Sequence, residues 1–499
     1  MISRILGFIR DMVIAHVFGA SVSTDAFLVA FKIPNFMRRL FAEGAFSQAF
    51  IPILSEYKTQ RDATTIKQFV DRVAGNLGSI LLVVTLLGIL GAPLLVLIFA
   101  PGFIQYQDKY QLTVEMLQIT FPYLLFITLA ALAGAVLNTY GRFAIPALTP
   151  VVLNLVLIAV TIWLASYFKP PIMALAWGVL FAGMIQLSLQ LPFLYRLHLL
   201  PKPQFNWHDE GVKRILHLML PALFGVSVSQ INLLIDTLMA SFLVTGSVSW
   251  LYYSDRIMEF PVGVFGLALA TVTLPNLSKS VARHDMSTYN RTLDWALRWV
   301  ILIATPAMIG LITLATPILI TLFYRGAFGE NDVVMTTRSL TAYAVGLVGF
   351  VLVKVLASGF YSRQDTRTPV KIAVIAMITN ISLNLIFIWH LQHAGLALAT
   401  SVAALLNAGL LYHGLRHQNV FQPLAGWKSF LLRVSLASTG MAIFLWWSSG
   451  TLTIWLEWNI STRVWHLFSL IGGGMLIYFI SLVLAGWRFH HVHLNLTED

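Results

Sequence analysis

Apolar stretches of about twenty residues, broken by short polar segments, recur along this chain from one end to the other. A helix rises 1.5 Å per residue, so a run of roughly twenty apolar residues spans the roughly 30 Å hydrocarbon core of a bilayer. The pattern predicts about fourteen membrane helices. Their expected limits are 2–18, 24–50, 71–100, 111–138, 145–167, 171–196, 214–243, 248–277, 294–323, 334–361, 369–390, 395–415, 429–449 and 464–486. The first is short. The second is long and unusually polar.

Composition turns this pattern into a class. Of 499 residues, 58% are hydrophobic and only 11% are charged, and the mean hydropathy is +0.79. A soluble protein of this length needs a far more charged surface, so the chain reads as an all-α polytopic membrane protein. A soluble enzyme on one anchor is excluded, because the apolar runs never stop. No cleavable signal peptide is expected, since Arg4, Arg10 and Asp11 interrupt the first apolar run. The absence of cysteine excludes disulfides, thiolate catalysis and thiolate-bound metals.

The net charge of +11 does not point to nucleic acid, because the cations sit in alternate short loops. One set of loops carries Lys58, Arg61, Arg72, Arg142, Arg196, Lys202, Lys213, Lys279, Arg283, Arg363, Arg367, Arg416 and Lys428. The other carries little beyond Lys109, Lys169, Arg325 and Arg463. The positive-inside rule places the first set, and both termini, in the cytoplasm.

The chain also resembles itself. Ile51-Pro52-Ile53-Leu54-Ser55 returns as Leu274-Pro275-Asn276-Leu277-Ser278, and Leu153-Asn154-Leu155 returns as Leu383-Asn384-Leu385. Both offsets span six helices, an even number, which keeps the copies in one orientation. Two six-helix lobes in parallel repeat are expected, with a cavity between them: an N-lobe over 1–200, a cytoplasmic linker over 201–213 and a C-lobe over 214–418. Two further helices occupy 426–490.

The candidate chemistry lies in the polar second span. Asp25, Lys32, Arg38, Arg39 and Glu43 interrupt it, and an intramembrane Arg or Lys costs about 3 kcal/mol even on a lenient scale. On a regular helix Asp25, Lys32, Arg39 and Glu43 fall within about 40° of one another, and Arg38 lies roughly 100° away. Arg39 and Glu43 form an i,i+4 pair, so Arg38 is expected to have a different partner. In the second lobe Asp255, Arg256 and Glu259 share one arc, followed by Pro261 and Gly263, which predict an irregular helix. Structural ion pairs between packed helices would account for any one pair. Arginines contributed from both lobes instead suggest a cationic cavity for an anionic substrate, because the planar guanidinium suits bidentate phosphate binding.

Here the residues meet a family. Ser3-Arg4-Ile5-Leu6-Gly7-Phe8-Ile9-Arg10-Asp11, Thr24-Asp25-Ala26-Phe27, Arg38-Arg39-Leu40-Phe41-Ala42-Glu43-Gly44-Ala45-Phe46-Ser47, Tyr252-Tyr253-Ser254-Asp255-Arg256 and Gly359-Phe360-Tyr361-Ser362-Arg363-Gln364-Asp365 resemble the MurJ/MviN lipid II flippases. The resemblance runs from residue 1 to at least Arg416, and more loosely to the end. It implies an alternating-access transporter of a larger exporter superfamily, in the bacterial inner membrane. The substrate would be lipid II, an undecaprenyl-diphosphate-linked disaccharide pentapeptide moved to the outer leaflet for peptidoglycan synthesis. By this resemblance Arg4, Arg10, Asp25, Arg38 and Arg256 bind substrate, with Arg10, Arg38 and Arg256 on the diphosphate. Asp11, Arg39, Glu43, Asp255 and Glu259 supply cavity or gate ion pairs, and the two extra helices hold the polyprenyl tail along 470–484. Members usually extend further ahead of the position of Met1, so either the gene start lies upstream, the chain is truncated, or this member has a short first helix.

Other readings stay open. Asp236, Asn380, Asn384 and Thr400 could form a Na⁺ site from one carboxylate and neutral oxygens, or could be hydrogen-bonding partners between helices. Otherwise no cofactor is expected, nor any nucleic-acid partner; cell-wall synthesis proteins are possible partners of a monomer. His490, His491 and His493 read as an interfacial tail before a metal site. The runner-up function is a flippase for another polyprenyl-linked glycan, or a drug exporter of the same superfamily; a cationic-drug exporter would need an acidic cavity. A membrane glycosyltransferase needs an acidic metal pair or a nucleophile in a sizeable loop, and the loops here are short. A scaffold would tolerate loss of the arginines.

Overall fold

A computed structural model describes residues 2–40 and 46–487; the side chains of Gln48, residues 220–230 and Leu233 fall outside that description. Among the described residues every regular element is helical. The first part of the chain forms α1 (Ile2–Phe18), α2 (Val22–Arg38), α3 (Ser47–Gln60), α4 (Ala63–Leu90), α5 (Ala92–Phe99), α6 (Gln107–Thr120), α7 (Tyr123–Thr139), α8 (Ala144–Ala159), α9 (Met173–Ser188), α10 (Leu191–Arg196) and α11 (Glu210–Ser241). Then come α12 (Ser247–Pro261), α13 (Leu267–Ala282), α14 (Met286–Thr313), α15 (Ala315–Phe323), α16 (Glu330–Val345), α17 (Leu347–Tyr361), α18 (Arg367–His417), α19 (Trp427–Ser448), α20 (Leu452–Glu457) and α21 (Ile460–Leu484).

The helices start where the sequence supplies caps. Ser21 accepts from Thr24 N, Asp62 from Thr64 N and Thr65 N, Asp209 from Gly211 N and Val212 N, and Asn459 from Thr462 N. Each satisfies N–H groups that the first turn leaves without an intrahelical partner. The irregularity expected after Pro261 is a π-turn over Val262–Gly266, and a second π-turn follows α8 over Val160–Leu164.

Ten helical stretches among the described residues are long and apolar enough to cross a membrane. Fourteen were expected. Part of the difference is physical. Helices α1 and α2 have only 17 residues each, and α18 joins two expected spans into 51 residues. The latter is not one rod. Gln392 has φ 50° and ψ −131°, and Asn380 Nδ2 donates to Thr400 Oγ1 at 3.1 Å. Side chains twenty positions apart meet only if the chain folds back. A Cβ on Gly395 would stand 2.6 Å from the Phe387 carbonyl oxygen, so the two arms close tightly beside the reversal.

The chain forms two compact units, Met1–Ser249 and Trp250–Asp499. The expected linker at 201–213 falls earlier than this division, and α11 packs against α3, α4 and α5 of the first unit. The first unit's core includes a run of stacked rings, Phe46–Phe50–Phe69–Tyr57. In the second unit α19 and α21 pack on each other, and Tyr478 Oη donates to the Leu302 carbonyl of α14 at 2.8 Å. Their remaining faces expose Leu432, Leu436, Ile443, Phe468, Leu476 and Leu484, a surface suited to lipid.

Candidate functional site: buried charges and a polar cavity

Two of the predicted residues form the most enclosed charge cluster on α1. Arg10 and Asp11 are 6% and 1% exposed. Arg10 donates Nε and Nη2 to Asp11 Oδ1 at 2.9 and 2.6 Å, and Nη1 to Asn154 Oδ1 at 3.0 Å. Asn154 Nδ2 in turn donates to the Ser3 carbonyl at 3.0 Å. The asparagine of the repeated Leu-Asn-Leu motif is thus what aims the arginine, tying α8 to α1. Arg4 is not brought to this cluster; it lies exposed on α1.

Asp25 is fully buried. Oδ2 accepts from Lys109 Nζ at 2.8 Å and from Gly246 N at 2.8 Å, and Oδ1 from Ser249 N at 3.0 Å and Ser249 Oγ at 2.6 Å. Four donors satisfy the carboxylate, as a buried charge requires. Lys109, 3% exposed, also lies over the Phe103 ring at 4.1 Å. Sequence reading placed Lys109 in a loop and Asp25 on substrate. In this conformation they hold each other, with the turn at 246–249 completing the clasp. The hint was available: Lys109 is one of few cations on the sparsely charged side. Lys32, on the same face of α2, donates to Thr237 Oγ1 of α11.

Arg38 Nε donates to Asn35 Oδ1 at 2.9 Å. Arg39 is half-buried where α2 ends; its expected partner Glu43 lies outside the described residues. Arg38 lines a cavity of about 250 Å³ within the first unit, with Ser47, Tyr123, Asn138, Thr149, Gln186 and Gln190 among its walls. The two glutamines went unnoticed in the sequence, although an i,i+4 amide pair in an apolar helix was the signal.

In the second unit Arg256 donates Nη1 to Glu259 Oε2 at 3.0 Å and lies over the Tyr252 ring at 5.1 Å. Asp255 is half-buried on the same helix. The arc of charges predicted on α12 is present, partly open to solvent. Of the four residues considered for Na⁺, Asn380, Asn384 and Thr400 come together: Asn384 Nδ2 donates to Asn380 Oδ1 at 3.2 Å, and Asn380 reaches Thr400. Asp236 belongs to the other unit. Among the described residues no three His, Asp or Glu side chains cluster as metal ligands. His490, His491 and His493 lie outside the described residues.

Long apolar helices in two compact units, with charged side chains such as Arg10, Asp11, Asp25 and Lys109 buried among them, define a polytopic membrane protein. Comparison with known proteins narrows this. The family described as "Lipid II flippase MurJ" matches residues 14–469. A protein of Vibrio cholerae described as "Probable lipid II flippase MurJ" is 48% identical, over 98% of this chain and 94% of its own length. "Lipid II flippase MurJ" of Burkholderia cenocepacia is 44% identical, over 90% and 87%. A solved structure titled "Lipid II flippase MurJ, inward closed conformation" superposes with a TM-score of 0.81 at 30% identity, covering 96% of both chains. An inward-facing multidrug resistance MATE family transporter of the MOP superfamily shares the fold, with a TM-score of 0.67 at 15% identity over 84% of this chain and 95% of that one. The chain belongs to the MurJ family of lipid II flippases.

Proposed function

We propose that this protein carries lipid II from the inner to the outer leaflet of the bacterial cytoplasmic membrane, by alternating access and without covalent chemistry, so feeding peptidoglycan synthesis. The observation that carries this reading is the 48% identity over 98% of the chain to a relative described as a lipid II flippase. The residue chemistry supports it. Arg10, Arg38 and Arg256 are planar, permanently charged donors suited to a diphosphate. Arg10 is held in a fixed orientation by Asp11 and Asn154, so substrate meets a preorganised guanidinium. The apolar faces of α19 and α21 suit the polyprenyl tail.

Depletion in cells followed by leaflet-resolved measurement of lipid II tests the reading. Lipid II should accumulate on the cytoplasmic face, and this chain should reverse that where Arg38→Ala does not. An unchanged distribution would sink it. The loop charges favour cytoplasmic termini, which end-tag accessibility checks. Coupling to Na⁺ through Asn380, Asn384, Thr400 and Asp236 is a separate proposal: equal flipping in Na⁺ and K⁺ buffers would remove it.

A further inference from the structure

The cavity at Arg38 has a chemical character that a diphosphate alone leaves unused. Gln186 near the end of α9 and Gln190 in the turn just beyond it are each only 1% exposed. Gln186 Nε2 donates to the Thr149 carbonyl at 2.6 Å, which fixes the amide orientation and leaves Oε1 as the acceptor. That oxygen has no hydrogen-bond partner among the described residues, and neither has Gln190 Oε1. Gln190 Nε2 reaches Thr149 Oγ1 at 3.3 Å. Buried acceptors are rarely left unmatched in an apolar bundle, and two of them line the same cavity as a guanidinium.

A ligand that fits these walls offers hydroxyl or amide N–H donors to the glutamine oxygens and an anionic group to Arg38. A glycosyl phosphate has both, adjoining one another. The size agrees: about 250 Å³ equals roughly eight liquid-water volumes, room for one sugar ring and not for a whole headgroup. The location agrees too. The walls run along α7 from Tyr123 to Asn138 and take in Arg38, the start of α3 and the first half of α8. Asn138, Gln186 and Gln190 lie toward the C-terminal ends of α7 and α9. Those ends adjoin Arg142 and Arg196 on the positively charged, cytoplasmic side, where the substrate is loaded.

We propose that this cavity seats the sugar next to the diphosphate, with its hydroxyl and amide N–H groups donating to Gln186 Oε1 and Gln190 Oε1 while the adjoining phosphate faces Arg38. The proposal rests on the lipid II reading above. It makes the first unit a reader of the glycan as well as of the charge.

The test compares binding of lipid II and of undecaprenyl diphosphate, which carries no sugar, to the purified full chain. Wild type should prefer lipid II. The double variant Gln186→Leu/Gln190→Leu should weaken lipid II binding about tenfold, the loss of one or two neutral hydrogen bonds, and leave undecaprenyl diphosphate binding as it was. Ala131→Phe fills the same cavity from α7 and leaves both glutamines unsubstituted; it should abolish the preference too, and decides the matter if the double variant does not fold. Variants that keep the wild-type preference, or that lose both lipids equally, overturn the sugar seat alone. Wild type that binds neither lipid overturns the flippase reading itself.

Discussion

Asp71 on α4 and Asp294 on α14 hold the same hydrogen-bond position in the two units. Asp71 Oδ1 accepts from Lys202 N at 2.7 Å, and Asp294 Oδ1 from Leu424 N at 3.0 Å. Each carries a cation one helical turn away, Lys67 for the first and Arg298 for the second. An asparagine on the same helix pairs reciprocally with the same returning segment: Asn76 with Asn206, and Asn290 with Gln422. The offset between the two aspartates equals that between Pro52 and Pro275. The repeat is thus written in polar contacts as well as in apolar pattern, and each aspartate pins the irregular segment that leaves its block of helices.

Substituting either aspartate by alanine should therefore destabilise its own unit by about 1.5–3 kcal/mol, the range for hydrogen bonds to a charged group. Thermal unfolding in detergent measures it. Asp294→Ala should also free Trp427, whose Nε1 donates to the same carboxylate at 2.6 Å, and so increase protease cleavage between residues 418 and 426. Unaltered melting and cleavage would show that the clasps are ornamental.

Gly75 lies under the first of these returning segments. A Cβ there would stand 2.2 Å from the Gln204 carbonyl oxygen, and backbone cannot swing aside as a side-chain tip can. Gly75→Ala should lower the melting temperature and speed amide exchange at Gln204, whose N–H donates to the Asp71 carbonyl. Gly78→Ala, with open space at its Cβ, is the matched control and should be neutral or better.

Asp25 and Lys109 should behave as one unit. Removing either partner, as Asp25→Asn or Lys109→Met, leaves a buried charge without its counterion and should cost about 3–5 kcal/mol. The double variant should cost markedly less than the sum. A double-mutant cycle on unfolding free energy reads this directly; strictly additive losses would argue against the coupling.

Arg10→Lys should not rescue function. Lysine keeps the charge but cannot span Asp11 and Asn154 with a rigid fork. Lipid II flipping by Arg10→Lys should resemble that of Arg10→Ala, while Asn154→Ala should fall between these and wild type. Wild-type flipping by the lysine variant would mean that charge alone suffices.

The start of α14 should be acid-sensitive. Asp285 accepts from Thr288 N at 2.9 Å and Ser287 Oγ at 2.8 Å, and the hydrogen bonds from Thr288 and Ser287 lower its carboxyl to about 2. A depressed carboxylate contributes its full stabilisation above the unfolded value, about 3.9. That contribution is lost as pH falls through the folded value. Amide exchange at Thr288 should stay slow down to about pH 4 and quicken towards pH 2, whereas Asp285→Asn should show no such transition.

Much of this architecture is legible in the sequence. The all-helical class follows from the apolar runs, although the stretch expected as one span at 24–50 is divided between α2 and α3. The reversal near residue 392 separates two spans the hydropathy pattern already distinguishes. What the sequence hides is pairing at a distance. Nothing local joins Asp25 to Lys109, Arg10 to Asn154, or Gln186 to Thr149, because each contact depends on which helix faces which. The family resemblance points to Asp25 as a substrate residue; in this conformation its carboxylate is held by four donors from Lys109, Gly246 and Ser249.

The reversal at Gln392 carries a practical consequence. Between Trp389 and Gly395 the chain turns back with one residue out of helical conformation and no loop. There is no slack there for an inserted tag, a cleavage site or an epitope. A topology probe placed at this turn would report on a broken hairpin, not on which side of the bilayer it faces, so mapping the orientation of these two arms has to be done from their far ends at Arg367 and His417.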